Sequence, residues 1–433
     1  MFDLNTIASL CKRRGFIFQS SEIYGGLGSV WDYGPLGVEL KNNVKRAWWN
    51  SSVYERDDIF GMDASILMHP RVWEASGHLE SFADPFIKCP ACEKFFRTDE
   101  NIAAKKPCPN CGKPLPEKSM SANLMFETLC GPVKETAQKV FFRPETAQGM
   151  FVNFLNILSS KHPKLPFGLA QIGKAFRNEI TTGNFIFRTR EFEQMEIEYF
   201  VRPEEAQASY KRWVEERFNW YVKLGIKTEN LRTRPHSKEE LAHYASACSD
   251  IEYNFPFGWS ELEGIASRTD FDLKQHSKVS GKDLRYFDDA SKQKFYPYII
   301  EPSGGVDRSV LAFLVDSYRE EKVRKEKRVV LSLHKDLAPV KAAVFPLLRN
   351  RPEIVKLAKS IHEDIRGKYN SVYDDTASIG RLYRRQDEAG TLYCVTVDVD
   401  SLEDKKVTVR DRDTMRQDRI DISRVKKYIE DKL

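Results

Sequence analysis

Residues 176–198 constrain this chain more than any other stretch: they read FRNEITTGNFIFRTREFEQMEIE. Two runs of strand-like alternation flank a loop holding Thr181, Thr182, Gly183 and Asn184. In an extended chain, residues i, i+2 and i+4 share a face. One face of the expected hairpin therefore shows Arg177 and Glu179 on its first arm. Its second arm adds Arg188, Arg190, Phe192, Gln194, Glu196 and Glu198. Met195, Ile197 and Tyr199 on the other face already supply the apolar side a hairpin needs. The polar face reads either as the wall of a binding site or as a solvated salt-bridge ladder.

Residues 301–318, EPSGGVDRSVLAFLVDSY, form a second such stretch. A strand end meets the turn Gly304-Gly305, and an amphipathic helix begins near Asp307. Glycines let a ligand approach the backbone closely. The first turn of a helix favours anions, and Arg308 there can hold phosphate oxygens. Taken alone, the segment is equally a glycine turn with a surface arginine. Combined with the hairpin it suggests a nucleotide site. Arg177 and Arg308 suit different phosphates, Phe192 can stack on a base, and Glu179 can accept from an exocyclic amine. Glu261, in the alternating run WSELEG (259–264), can bind magnesium that bridges phosphates. The chain has neither a GxxxxGK[ST] loop nor a kinase catalytic loop, which excludes two common nucleotide-binding designs.

Four cysteines arrive as two CxxC knuckles, Cys89/Cys92 and Cys108/Cys111, separated by 15 residues. Two knuckles supply the four soft ligands of a tetrahedral zinc ion. The alternative, a pair of disulfides, conflicts with an intracellular chain. With every position filled by cysteine, the expected metal is structural, in a zinc-ribbon-like insertion over about 86–118. Cys11, Cys130, Cys248 and Cys394 are scattered and read as ordinary buried thiols.

The chain has 433 residues, enough for about two to three domains, and its composition is that of soluble globular proteins. No apolar run reaches the roughly 18 residues of a membrane helix. The N-terminus lacks the pattern of a signal peptide, so the cytoplasm is the expected location. Net charge is +5, a mild bias consistent with a nucleic-acid partner. Helices are expected over 4–14, 38–54, 151–158, 201–223 and 237–249, and strands over 251–257, 258–264 and 295–301. The apolar stripe Leu40, Val44, Trp48 and Trp49 suits either core packing or a subunit interface. The run 319–328 holds nine charged residues in ten and reads as a solvated helix end or linker. Beyond it, strands and helices alternate as in a compact α/β domain.

These motifs, in this order, resemble the class II aminoacyl-tRNA synthetases, specifically glycyl-tRNA synthetases of the single-chain homodimeric type. FRNE with FRTREFEQME resembles motif 2 (about 169–200), EPSGGVDRSVLAFL motif 3 (about 299–318), and VWDYGPLGVELKNNVKRAWW motif 1 (about 30–54). RPETAQG (143–149) resembles a further glycyl signature, and IGRLYRRQDEAGTLYCVTVD with VTVRDRDTM an anticodon-binding domain. The resemblance implies an α+β catalytic core of antiparallel sheet over 1–330, interrupted by the zinc-ribbon-like insertion. A C-terminal α/β anticodon-binding domain would cover 331–433.

The resemblance also implies roles. Arg177, with Asn178 and Glu179, would meet the α-phosphate and adenine, and Phe192 would stack under the base. Phe187, Arg188, Thr189, Arg190 and Glu191 would shape the ATP loop. Glu261 and Leu262 fall at an ATP and Mg2+ position, and Gly305, Val306, Asp307 and Arg308 at the γ-phosphate end. Arg177 and Arg308 would be the catalytic pair. Glycine would sit among Arg97, Glu145, the run Phe192, Glu193, Gln194, Met195 and Glu196, and the turn Glu301, Pro302, Ser303, Gly304 and Gly305. Implied partners are ATP, Mg2+, structural zinc, glycine, tRNA(Gly) and a second copy of the chain. Two residues depart from the commoner pattern: Thr182 stands where proline is frequent, and Gly304 where alanine is. A non-catalytic, nucleic-acid-binding relative is the alternative, but such relatives usually lose the ATP arginines that this chain keeps.

Overall fold

The central sheet collects segments that are far apart in sequence. The computed structural model describes residues 3–98, 107–117, 119–242, 244–323 and 326–433. Seven strands make this sheet: β1 (Ile59–Gly61), β2 (Phe167–Phe176), β3 (Glu191–Val201), β4 (Leu231–Pro235), β5 (Ala247–Phe255), β6 (Gly258–Thr269) and β7 (Tyr298–Gly305). Their spatial order is β4-β5-β6-β7-β3-β2-β1. All neighbours are antiparallel except β1 and β2. Helices α1 (Leu4–Arg14), α2 (Pro35–Trp49), α3 (Ala147–Val152), α4 (Phe154–Lys161), α5 (Ala206–Lys223), α6 (Phe271–Ser280) and α7 (Val306–Ser317) accompany it.

The period-2 pattern of β3 is realised on both faces. Met195, Ile197 and Tyr199 join one core with Leu40, Val44 and Trp48 of α2, Trp213 and Tyr221 of α5, and Val310 and Leu314 of α7. Gln194, Glu196 and Glu198 on the opposite face are buried too, which rules out a solvated ladder. Pro35 opens α2, where its missing N–H costs nothing.

Several expectations change. β2 ends at Phe176, so Arg177 and Glu179 lie in the loop 177–190 rather than in a strand. The Arg177 N–H still donates to the Arg190 carbonyl at 2.9 Å, but that of Asn178 turns to Leu124 and that of Glu179 back to Arg177. Among the described residues of 237–249 there is no helix (His243 lies outside them). Glu240 instead accepts the Ser237 N–H at 2.8 Å, closing a turn, and Ala247 onward pairs with β6. The charged run 319–328 is a hairpin of β8 (Tyr318–Val323) and β9 (Glu326–Leu331), with Arg324 and Lys325 outside the described residues. Opposite charges face each other across it, Lys327 with Glu320 and Arg328 with Glu321, each at 2.7 Å. Cys130 is exposed and Cys248 half-buried; only Cys11 and Cys394 are the buried thiols expected.

The C-terminal part holds a five-stranded sheet. Its strands are β10 (Ala342–Pro346), β11 (Ser371–Tyr373), β12 (Tyr393–Val397), β13 (Lys406–Asp411) and β14 (Gln417–Asp421), in the order β11-β10-β12-β13-β14. Helices α8 (Pro352–Arg366), α9 (Ile379–Ala389) and α10 (Val425–Glu430) complete it. Asp387 of α9 is buried and takes bidentate pairs from Arg328 of β9 (2.8 and 3.0 Å) and Arg410 of β13 (2.9 and 3.2 Å). No helix among the described residues is long and apolar enough to cross a membrane.

Candidate active site

The polar face of β3 and β7 builds two unlike ends of one site. At the first end carboxylates converge. Glu196 is buried and accepts from the Thr146 N–H (2.9 Å) and hydroxyl, from Ser303 Oγ (2.6 Å) and from Gln194 Nε2 (2.8 Å). Burial and the neighbouring Glu145 nevertheless raise its pKa. Glu145 accepts from Gln148 Nε2 at 3.0 Å and faces His78 Nε2 at 3.4 Å. Against the desolvation of its half-buried position, it is held below the ordinary carboxylate range by His78 and Arg268. Glu301 takes Arg268 Nη1 on both oxygens, at 2.9 and 3.0 Å. Arg268 also pairs with Asp272 at 2.8 and 2.9 Å and stacks 4.0 Å over the Tyr244 ring. Burial still pushes Glu301 up to about 8, against Arg268. Such a crowd of acids around one guanidinium suits a small cation.

At the second end arginines converge, steadied by carbonyls and rings. The Arg177 guanidinium lies 5.4 Å from the rings of both Phe192 and Phe82, and its Nε donates to the Pro144 carbonyl at 3.0 Å. Arg308 lies 4.4 Å over Phe187, donates to the Phe187 and Glu261 carbonyls at 3.2 Å, and pairs with Glu261 Oε2 at 3.1 Å. That guanidinium holds the Glu261 carboxyl below its usual range. Glu179 is buried, with Arg188 Nε at 4.0 Å; burial raises its pKa against Arg188 and Arg177. Glu179, Phe187, Arg188, Phe192, Gly305 and Arg308 line one small cavity.

Other expected site residues point elsewhere. Leu262, Met195 and Val306 are core side chains, so only their backbones can face the site. Arg190 braces the loop after α1, donating to Gly28 O at 2.7 Å and to Glu179 O at 3.2 Å. Glu191 pairs outward with Lys174, and Thr189 Oγ1 donates to the Glu191 carbonyl. Glu193 and Asp307 turn towards α2. The Asn178 N–H is spent on Leu124. Arg97, on the insertion strand Phe95–Arg97, meets Asp84 Oδ2 at 3.1 Å. Pro302 and Gly304 belong to β7. A Cβ on Gly304 would come 3.1 Å from Glu263 Oε2, and Glu263 is locked by Arg217 (2.6 and 3.2 Å) and by Tyr221 (2.8 Å). The departure to glycine at this position thus has a steric cause.

Sequence reasoning missed Arg268, Asp272, Gln148 and His78. Arg268 continues the alternation of β6 beyond the WSELEG run; Gln148 sits inside the RPETAQG motif. His78 carries no local signal.

The four knuckle cysteines form a potential metal group. Cys89–Cys111 and Cys92–Cys108 are each 3.7 Å apart between sulfurs, close to the ~3.8 Å edge of a tetrahedron with zinc–sulfur bonds of ~2.3 Å. Each knuckle closes alike, Cys89 N–H to Lys94 O and Cys108 N–H to Lys113 O. Glu93 and Gly112 take the left-handed conformation at equivalent places. Residues 99–106 and 118 of the expected insertion lie outside the described residues. His236, Cys248 and Asp250 also cluster, but Arg234 Nη2 lies 3.1 Å from Asp250 and supplies the cation there.

Residues 129–318 match the family model described as the tRNA synthetase class II core domain (G, H, P, S and T). Residues 341–432 match the anticodon binding domain. The chain is 52% identical to the glycine–tRNA ligase of Caldanaerobacter subterraneus subsp. tengcongensis, over 99% of this chain and 98% of that protein. It is 52% identical to the glycine–tRNA ligase of Thermobifida fusca over the same shares. The Streptomyces coelicolor protein of that name is 49% identical, again over 99% and 98%.

Proposed function

We infer that this chain, which belongs to the glycine–tRNA ligase family of class II aminoacyl-tRNA synthetases, is a glycyl-tRNA synthetase. It activates glycine with ATP to glycyl-adenylate and pyrophosphate, then transfers the glycyl group to the 3′ end of tRNA(Gly). The observation that carries this reading is one sheet face on which buried carboxylates stand beside two steadied arginines.

Glycine offers a pocket only an ammonium and a carboxylate. Glu145, Glu196 and Glu301 receive the ammonium, while their bulk fills the space another side chain would need. Selection is steric, because removing a methyl group gives hydrophobic contacts nothing to read. The glycine carboxylate attacks the α-phosphorus in line and pyrophosphate leaves with the bonding pair. That step needs placement and charge neutralisation more than a base. Arg177 serves the α-phosphate, Arg308 the γ-phosphate, Phe192 stacks on adenine and Glu179 accepts from its amine. Magnesium would accompany the ATP, where Glu261 would hold it and the metal would neutralise phosphate charge. In the second step the terminal ribose hydroxyl attacks the glycyl carbonyl and AMP leaves.

The four thiolates fit a zinc ion, which would cross-link the insertion. The exposed apolar side chains Ile23, Tyr24, Leu27 and Val38 support a homodimer. The cytoplasm is the proposed location. Glycine-dependent ATP–pyrophosphate exchange tests the function: exchange with glycine alone among amino acids is expected, and its absence would overturn the reading.

A further inference from the structure

Glu193 and Asp307 each adjoin a residue assigned to ATP and border the same small cavity, yet their carboxylates are engaged by α2. Both close on Lys41 of α2, a lysine whose side chain is 9% exposed. Lys41 Nζ lies 2.7 Å from Glu193 Oε2 and 3.0 Å from Asp307 Oδ1. Tyr33 OH donates to the same Asp307 Oδ1 at 2.5 Å, and its ring lies 4.2 Å from the lysine nitrogen. The Glu193 N–H donates to Asp307 Oδ2 at 2.8 Å, which ties β3 to the first turn of α7. Lys45, one helical turn on, reaches Glu193 Oε1 at 3.1 Å.

We propose that Lys41 is a positioning residue for ATP, acting through Glu193 and Asp307 to set the spacing of Phe192 and Arg308. The inference rests on the functional reading above. Phe192 adjoins Glu193 in β3 and Arg308 adjoins Asp307 in α7, so the two ATP groups are carried by the two acids that share one cation. Without that cation Glu193 is left to Lys45 and Asp307 to the Tyr33 hydroxyl and the Glu193 N–H, and the two carboxylates, no longer bridged, separate or take up a proton. Either response shifts the wall under the base relative to the arginine at the phosphates. Lys41 and Lys45 oppose the effect of burial and hold Glu193 below its ordinary pKa. The amino-acid end shares none of these contacts: Glu196 answers to Thr146 and Ser303, and Glu301 to Arg268.

The test is steady-state ATP–pyrophosphate exchange with the full-length chain, varying ATP and glycine separately. Lys41→Met should raise KM for ATP about tenfold or more while KM for glycine moves less than about threefold. Lys41→Arg should return KM for ATP to within about threefold of wild type. Tyr33→Phe and Lys45→Met, which each remove one contact of the same acids, should shift KM for ATP in the same direction by less. They also read the split if Lys41→Met does not fold. Unchanged KM for ATP in folded Lys41→Met overturns the proposal. So does an equal rise in both constants, or a fall in kcat alone, without rescue by arginine. A wild type without exchange would instead defeat the functional reading itself.

Discussion

The two ends of the site solve opposite electrostatic problems with opposite means. At the end proposed for the amino acid, acids outnumber cations, and the protein locks them with side chains: Ser303 and Thr146 on Glu196, Arg268 on Glu301 and Asp272. At the nucleotide end, the arginines are steadied by main-chain carbonyls and aromatic rings. A carbonyl orients a guanidinium without cancelling its charge, which leaves the charge of Arg177 to phosphates, while Arg308 also pairs with Glu261. Locking by side chains fixes shape, which the smallest amino acid requires. Steadying by backbone preserves charge, which a triphosphate requires.

The contrast makes the amino-acid end the more fragile. Arg268→Ala leaves Glu301 and Asp272 buried without their partner, at a cost of about 3–5 kcal/mol. Thermal melting should show a marked loss of stability along with the loss of glycine activation; a variant that melts like wild type would break the comparison. Arg177→Ala should instead leave the fold intact and lower kcat/KM for ATP by about 100-fold or more, since only ligand contacts are lost. Exchange kinetics beside circular dichroism separate the two outcomes. Ser303→Ala frees one acceptor of Glu196, and KM for glycine should rise about tenfold, from about 1–3 kcal/mol, with KM for ATP unchanged.

A pH series sharpens the same comparison. Burial raises Glu196 and pushes Glu301 up to about 8 from 4.5. A carboxyl raised in this way adds stability while protonated, fully below its unfolded value, and loses it as pH climbs through the folded one. Melting without glycine should therefore fall between pH 4.5 and about pH 8, and saturating glycine should flatten the fall as its ammonium replaces the proton. A slope unaffected by glycine would detach these acids from the amino-acid site. The smallest effect on the central sheet belongs to zinc. Chelation should release about one ion per chain and loosen hydrogen exchange near Ile87, Cys89, Cys108 and Leu115, with little change at β3 and β7. Metal analysis of the purified protein checks the stoichiometry.

The pairing of motifs was legible because Arg177, Phe192, Glu196, Glu301 and Arg308 sit in short, dense patterns of residue types. What sequence alone hid was partnership. Period 2 already sets Glu193 on the Met195 face, towards α2, but Lys41, the shared partner of Glu193 and Asp307, lies about 150 and 270 residues away in the chain and leaves no local mark. Arg177 was read as a strand residue; one more rung of alternation does not reveal that the Asn178 N–H leaves the sheet for Leu124. The segment 237–249 carried a helix start signal that a single turn consumed. The run 319–328 looked solvated because nothing near it discloses Asp387, the acid that makes a buried strand position of Arg328. Local chemistry survives translation into structure, and long-range pairing overrides propensity where charges are buried.

That buried pair has a practical side. Arg328 belongs to the β8–β9 hairpin, which precedes the C-terminal sheet in sequence, yet its Nε and Nη2 fill Asp387 of α9 and Nη2 also reaches the Arg412 carbonyl. A truncated protein begun after β9 would leave buried Asp387 to Arg410 and to a longer contact with Arg384 at 3.6 Å. Anyone dissecting the molecule into separately produced pieces should carry the hairpin with the tail, as a grafter keeps the rootstock with the bud.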